Sequence, residues 1–250
     1  MTESLSKDEL IRYSRQLMLQ PVGKAGQEKL KASKVLLVGV GGLGCPAAQY
    51  LSAAGMGELW LLDDDQVALS NLQRQILFGQ ADIDQPKAQV AAAKLKANNP
   101  NTQTTVLCER ADQQRLAELA AQVDIVLDCS DNFDTRHAVN RACQQSQTPL
   151  VSGAAVRMEG QLYIFDWQPE SPCYHCLFPE NSATADSCAT AGILAPVTGI
   201  IGSFQALATL RLILGQAPSG AGKLWLFDAS TMQWRQMSAK RDPACSVCNS

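Results

Sequence analysis

Val35-Leu36-Leu37-Val38-Gly39-Val40-Gly41-Gly42-Leu43-Gly44 is the segment around which the rest of the chain can be arranged. Four apolar residues read as a buried strand, and Gly39, Gly41 and Gly44 follow with the spacing G-x-G-x-x-G. Each glycine has a mechanical task. Gly39 takes the tight turn off the strand, Gly41 lets the backbone approach a phosphate, and Gly44 lets the next helix pack close to the sheet. Cys45-Pro46-Ala47-Ala48 opens that helix with proline in its first turn. The helix start offers free N–H groups and a positive dipole end to an anion. A second apolar run, Leu59-Trp60-Leu61-Leu62, ends in Asp63-Asp64-Asp65, about 20 residues past the last glycine, where an acid holds a ribose hydroxyl.

Strand, turn, helix and acid in this order predict a Rossmann-like, doubly wound α/β fold with a nucleotide site on the carboxyl edge of a mostly parallel sheet. Thr104–Cys108, Asp124–Asp128 and Leu150-Val151 continue as strands. Gln161–Phe165 has antiparallel character, and Lys223–Phe227 with Gln233–Met237 read as a hairpin that extends the sheet. Residues 5–19 predict a helix capped by Ser6 with Glu9 three positions on, a capping box. Further helices are expected at Gln27–Ala32, from Lys87 to Asn98, at Gln113–Ala121 and from Phe133. The apolar run Ile193–Leu214 is long enough for a membrane span, but Pro196, Gly199, Gly202, Gln205 and Arg211 interrupt it. It reads as a buried helix, with Gly199 and Ser203 one turn apart on a face that admits another helix.

The 250 residues carry a net charge of −3 and a pI of 5.4. This leaves no broad basic face for nucleic acid and no attraction to an anionic membrane. The N-terminus lacks the basic start and apolar core of a signal peptide, so a cytoplasmic location is expected. Nine cysteines without a secretion signal point to thiol or metal chemistry rather than a disulfide framework. Cys45, Cys108, Cys129 and Cys143 lie in apolar or helical runs and are expected to be buried and inert. Cys173-Tyr174-His175-Cys176 and Cys245-Ser246-Val247-Cys248 are two C-x-x-C pairs, matching a closed tetrahedral Zn²⁺ knot that ties the C-terminal tail back. A redox pair is disfavoured, because neither pair opens a helix after a strand. His175 is expected to stay outside the zinc shell. Cys188 sits in the polar run Leu177–Ala191, and composition leaves open an exposed thiol or a partly buried one at a helix start.

Which nucleotide binds is a question of charge. The chain has only two histidines, yet cations cluster near the glycines. Ser70-Asn71-Leu72-Gln73-Arg74-Gln75 follows the second strand and falls on the same carboxyl edge. Lys87 opens a helix, where a positive charge is misplaced unless an anion waits there. The fourth strand ends in Cys129-Ser130-Asp131-Asn132. One of these acids can hold Mg²⁺ on a triphosphate, or cap the next helix, and Asp131 suits either. Arg12 and Arg15, taken alone, are solvated helix charges.

Across essentially its whole length the chain resembles the MoeB/ThiF branch of the ubiquitin-activating-enzyme-like superfamily. The likeness rests on Arg12-Tyr13-Ser14-Arg15-Gln16, Gly39 to Gly44, Ser70 to Gln75, Pro86-Lys87, Asp128 to Asn132, both C-x-x-C pairs, and Cys188-Ala189-Thr190-Ala191-Gly192. The resemblance implies that ATP is the nucleotide and that the reaction is adenylation of the C-terminal Gly-Gly carboxylate of a small ubiquitin-like sulfur carrier. By the same resemblance Gly42 and its neighbours line the ATP site and Asp63 binds ribose. Asn71, Arg74 and Lys87 hold the triphosphate, Asp131 binds Mg²⁺, and Arg15 crosses a homodimer interface. It also implies the four zinc cysteines, a thiol at Cys188 that in some relatives joins the carrier, and a separate sulfurtransferase as donor. The chain ends at the second knuckle, so no fused sulfurtransferase domain is expected. One domain spans 1–250: a helical arm over 1–30, a nucleotide-binding half over 31–155 and a carrier-binding and zinc half over 156–250. Val151 to Gly160 and Arg241-Asp242-Pro243-Ala244-Cys245 resemble the molybdopterin-synthase side, with a MoaD-like carrier. Ile76-Leu77-Phe78 and Phe178-Pro179-Glu180-Asn181 resemble the thiamine side, with a ThiS-like carrier as the alternative to the favoured MoaD-like one. Rival readings are an NAD-dependent oxidoreductase, a non-catalytic carrier-docking scaffold and a tRNA-modifying dehydratase. The first leaves Arg74, Lys87 and the cysteine pairs without a task, and the acidic pI opposes the last.

Overall fold

The computed structural model describes residues 4–180, 191–216 and 222–249. Its strands are β1 (Lys34–Val38), β2 (Glu58–Leu62), β3 (Gln103–Leu107), β4 (Ile125–Asp128), β5 (Leu150–Val156), β6 (Glu159–Phe165), β7 (Lys223–Asp228) and β8 (Gln233–Ser238). They form one eight-stranded sheet in the order β3-β2-β1-β4-β5-β6-β7-β8. Strands β1 to β5 pair in parallel, and β6, β7 and β8 continue the sheet antiparallel. This is the expected doubly wound sheet with an antiparallel extension. Val38 pairs with Leu62 on one side and Asp128 on the other. The chain therefore leaves β1, β2 and β4 side by side, at the point where strand order reverses and α/β sheets open a ligand crevice.

The helices are α1 (Lys7–Arg12), α2 (Ser14–Leu17), α3 (Gly23–Ala32), α4 (Gly44–Ala53), α5 (Lys87–Asn98), α6 (Gln113–Ala120), α7 (Phe133–Ser146), α8 (Tyr174–Leu177) and α9 (Ala195–Ile213). Alternate strand residues divide the core between two faces, as the period of two requires. Val35, Leu37, Leu59, Leu61, Ile125 and Leu127 pack with residues of α4, α5 and α9. Leu36, Val38, Leu62 and Val126 pack with residues of α6 and α7 on the other face. Each fully buried leucine contributes about 1.5–3 kcal/mol before the entropy of ordering is subtracted. Fixing three strand ends this firmly is what makes the carboxyl edge a rigid platform.

Several local expectations change. The Ser6–Glu9 capping box forms, but the arm is not one helix: it breaks at Tyr13 into α1 and α2. Tyr13 is buried and its hydroxyl accepts a hydrogen bond from Asn99 Nδ2 at 3.0 Å, an anchorage that outweighs local helix propensity. The second arm helix starts at Gly23, four residues ahead of the expected Gln27. Cys45, Cys129 and Cys143 are buried as expected, whereas Cys108, just past edge strand β3, is exposed. Helix α9 packs against β5, β6 and α4. Within the chain its close approach is at Gly202, where an added Cβ would sit 2.3 Å from the Leu43 carbonyl oxygen, while Gly199 has nothing within 4 Å among the described residues.

Candidate functional site

The glycine turn is built as the spacing requires. Gly39 sits at φ +93°, its N–H donating to the Leu62 carbonyl at 2.8 Å. Any side chain at Gly44 would meet the Gly39 carbonyl at 2.1 Å. Asp63 clasps the turn from the neighbouring strand: Val40 N–H donates to its Oδ2 at 2.7 Å and Asp65 N–H to its Oδ1 at 2.9 Å. Burial raises the Asp63 pKa, and the Val40 amide and Lys87 oppose the rise. Both carboxylate oxygens keep a free lone pair for a ligand hydroxyl. No side chain caps α4; Cys45 N–H donates to the Gly41 carbonyl and Ala47 N–H to the Leu43 carbonyl, so the amides turned toward an anion are those of Gly41 to Gly44, in the turn that leads into the helix.

Around this turn lies a cleft lined by Gly39, Gly41, Gly42, Asp63, Asp64 and Asp65, together with Arg74, Gln75, Lys87, Asp131 and Asn132. Lys87 is the first residue of α5. Its side chain is 6% exposed and its Nζ lies 2.7 Å from Asp65 Oδ2, whose side chain is 68% exposed. The anion demanded by a buried lysine at a helix start is thus supplied here by Asp65 of the same chain. Arg74 lines the cleft while its Nη1 donates to the Ser70 carbonyl at 3.1 Å. Ser70, Asn71, Leu72 and Gln73 form the turn that carries Arg74 and are not themselves on the cleft wall. Asn71 Oδ1 accepts from Ala68 N–H, and Leu72 packs on the core.

Asn132 caps α7, its Oδ1 accepting from Thr135 N–H at 2.9 Å. Asp131 is therefore not the cap, and it stands exposed on the cleft wall. Arg15 is exposed on α2 and does not line the cleft of its own chain. Cys188 lies outside the described residues. The sequence reading missed Arg110, Arg136 and Thr198, which also line the cleft. Arg110 follows β3, so the carboxyl-edge rule that found Arg74 was available for it. Arg136 lies one turn into α7, donates to the Ser130 carbonyl at 2.9 Å and rests on Phe133; only the register of α7 points it inward. Behind the wall, Asp128 accepts the Ser130 and Ser152 hydroxyls at 2.6 and 2.8 Å, which fixes the end of β4.

The four C-x-x-C cysteines converge from α8 and the C-terminal tail. Their sulfurs lie 3.8 Å (Cys173–Cys176), 3.6 Å (Cys173–Cys245) and 3.5 Å (Cys176–Cys248) apart, and none is in a disulfide. A tetrahedral zinc with Zn–S bonds of about 2.3 Å spaces its sulfurs by about 3.8 Å, so the cluster fits that ion. Burial pushes the Cys248 thiol up to about 11, and a dication is what would make four thiolates stable together. The Asp242 N–H points at Cys176 Sγ from 3.5 Å, a bond that would orient the ligand.

The ThiF family model matches residues 13–247. The molybdopterin-synthase adenylyltransferase of Escherichia coli K12 is 47% identical over 247 residues, covering 98% of both chains. The sulfur carrier protein ThiS adenylyltransferase of the same organism is 46% identical over 240 residues, covering 96% of this chain and 95% of its own. Among solved structures, E. coli MccB with ATP superposes with a TM-score of 0.81 at 25% identity, covering 95% of this chain and 74% of that one. A match from the N-terminal arm to the last cysteine pair, joined to near-complete coverage of both relatives, leaves one assignment: the chain belongs to the ThiF family.

Proposed function

We propose that this chain is an ATP-dependent adenylyltransferase acting on the C-terminal Gly-Gly carboxylate of a small ubiquitin-like sulfur-carrier protein, with release of pyrophosphate. One observation carries the reading. Full-length relatives that bear this activity in their names match a chain whose sheet edge gathers a glycine turn, an uncapped helix start, Arg74, Lys87 and Asp131 around one cleft. The carrier is of the molybdopterin-synthase (MoaD-like) type. The thiamine-pathway (ThiS-like) type is the second reading, favoured by a relative only one point of identity behind.

No general base is needed, because a terminal carboxylate is ionised at neutral pH. The phosphates take the N–H groups of the Gly41 to Gly44 turn at the start of α4, while Lys87 exchanges Asp65 for a phosphate oxygen and Arg74 turns from the Ser70 carbonyl to the same group. Asp63 holds the ribose. Asp131, an exposed carboxylate at the rim, would hold Mg²⁺, and the ion would supply neutralisation of phosphate charge. A carboxylate oxygen of the carrier then bonds to the α-phosphorus, the bond to the β-phosphate oxygen breaks, and pyrophosphate carries away the electron pair. Catalysis here is positioning and charge neutralisation.

Arg15, outside its own cleft, completes the cleft of a second copy in a homodimer. A sulfur nucleophile from a separate sulfurtransferase opens the acyl-adenylate and releases AMP. Cys188 is the candidate thiol for a covalent link to the carrier. The whole chain acts as one domain, in the cytoplasm, with the cysteine knot holding the tail against α8. The test is exchange of labelled pyrophosphate into ATP, run separately with each carrier. Exchange with neither carrier, together with tight NAD binding, would return the cleft to oxidoreductase chemistry.

A further inference from the structure

Outside the cleft, one group of ligating side chains has no task in carrier adenylation. His137 on α7 is 4% exposed, and neither of its ring nitrogens has a hydrogen-bond partner among the described residues. His175 on α8, whose Nδ1 is also buried without a partner, sets its ring edge-on to His137 with centroids 5.6 Å apart. Glu180 brings Oε1 to 3.9 Å from His137 Nδ1. One ligand atom from each of the three lies within 4.8 Å of the other two. Leaving a buried polar atom without a partner costs about 1–3 kcal/mol, and three such atoms lie on these two adjacent rings. Tyr174 and Phe133 pack on the His137 ring, which accounts for its faces but not for its nitrogens.

We propose that His137, His175 and Glu180 bind a divalent transition-metal ion, at a site separate from the four-cysteine knot. Two imidazoles and one carboxylate suit zinc, cobalt, nickel or copper and do not suit magnesium or calcium, which take oxygen ligands. A tetrahedral ion with bonds of about 2.0–2.1 Å spaces its ligands by about 3.4 Å. Rotation of the partly exposed Glu180 side chain closes the remaining gap. Three protein ligands leave the fourth position open to solvent, on the side where Glu180 is 45% exposed. Arg141 Nη2 also donates to Glu180 Oε1. A carboxylate has about four lone-pair positions, so arginine and ion share it, and the arginine charge weakens the ion's binding. The ion ties α7 to Glu180, the residue just ahead of 181–190, the run that carries Cys188. It also couples that point to the knot, since His175 lies between Cys173 and Cys176 in sequence.

The test uses the full-length protein with its cysteine knot loaded with zinc. Protein is equilibrated with excess Co²⁺, freed of loose ion by gel filtration and assayed for both metals by mass spectrometry, with visible absorption recorded. The expected result is one zinc and one cobalt per chain, the cobalt showing weak ligand-field bands and no thiolate charge transfer. His175→Gln and His137→Gln should each keep the zinc and lose the cobalt, and Arg141→Gln should bind cobalt more tightly than wild type. Should His137→Gln fail to fold, His175→Gln and Glu180→Gln carry the test. Wild-type protein that retains no cobalt, or retention unchanged in His175→Gln and Glu180→Gln, overturns the proposal.

Discussion

Replacing Lys87 with methionine separates catalysis from stability more cleanly than any other change at this site. The ammonium is 6% exposed and pairs with Asp65 at 2.7 Å, but Asp65 itself is 68% exposed. Once its partner is gone, Asp65 is left in water rather than buried, and the buried Asp63, whose carboxylate Lys87 also favours, keeps its hydrogen bonds from the Val40 and Asp65 amides, so no buried charge is left without a partner. Methionine keeps the stem packed at the start of α5, and a half-solvated ion pair is worth about 0–1 kcal/mol. Stability should therefore change by no more than about 1 kcal/mol, a shift of about 2–4 °C in Tm for a chain of this size. Catalysis loses a charged hydrogen bond to the triphosphate worth about 1.5–3 kcal/mol, equivalent to a fall of roughly 10- to 150-fold in carrier-dependent pyrophosphate exchange. Calorimetry and the exchange assay on the same preparation read both numbers. Exchange within threefold of wild type would refute a role for Lys87 at the phosphates. A Tm loss beyond about 8 °C would show that the Lys87–Asp65 pair is structural.

Arg15→Ala should abolish exchange while the protein stays dimeric. Mixing it one-to-one with Lys87→Met should restore about a quarter of wild-type activity, because half the dimers are mixed and each holds one intact site; no recovery would remove the cross-subunit role. Cys248→Ser should release the bound zinc and open the C-terminal tail to protease, read by metal analysis and limited proteolysis, and a full zinc complement in the variant would contradict the four-cysteine knot. Asp82 gives a pH signature: its hydrogen bond from Lys94, then that from Gly79 N–H, hold its carboxyl below the usual 3.8. The stability it contributes is present above 3.8 and is lost as pH falls through the lower folded value, so wild type and Asp82→Asn should converge in acid denaturation. A stability gap that persists at the lowest pH would disprove that linkage. Cys188→Ser should leave adenylation unchanged and remove any covalent carrier adduct seen by intact-mass measurement.

The strand, turn and helix around Gly39 to Gly44 were legible because backbone geometry dictates residue type there: only glycine fits 2.1 Å from the Gly39 carbonyl. Arg74, Lys87 and Asp131 could be placed for a different reason, since each follows closely on a strand or opens a helix and topology alone brings it to the carboxyl edge. The breaks in that legibility are tertiary. The arm helix fails at Tyr13 because Asn99, 86 residues away, takes its hydroxyl. The Lys87–Asp65 pair was hidden because a helix-start lysine signals an anion without saying whether ligand or chain supplies it. Arg136 needed the register of α7 against the sheet, which no local pattern states. The contacts of Ser70, Asn71, Leu72 and Gln73 show the converse. Residues of one motif divide their labour, four carrying the turn while Arg74 and Gln75 reach the cleft.

The proposed reaction begins with a carrier carboxylate attacking the α-phosphorus of ATP. Carrier protein labelled with heavy oxygen in its terminal carboxylate, incubated with enzyme, ATP and a sulfur nucleophile, tests this directly. The label should appear in AMP, one atom per turnover, and never in pyrophosphate. AMP free of label, or label in pyrophosphate or inorganic phosphate, would contradict the account at its centre.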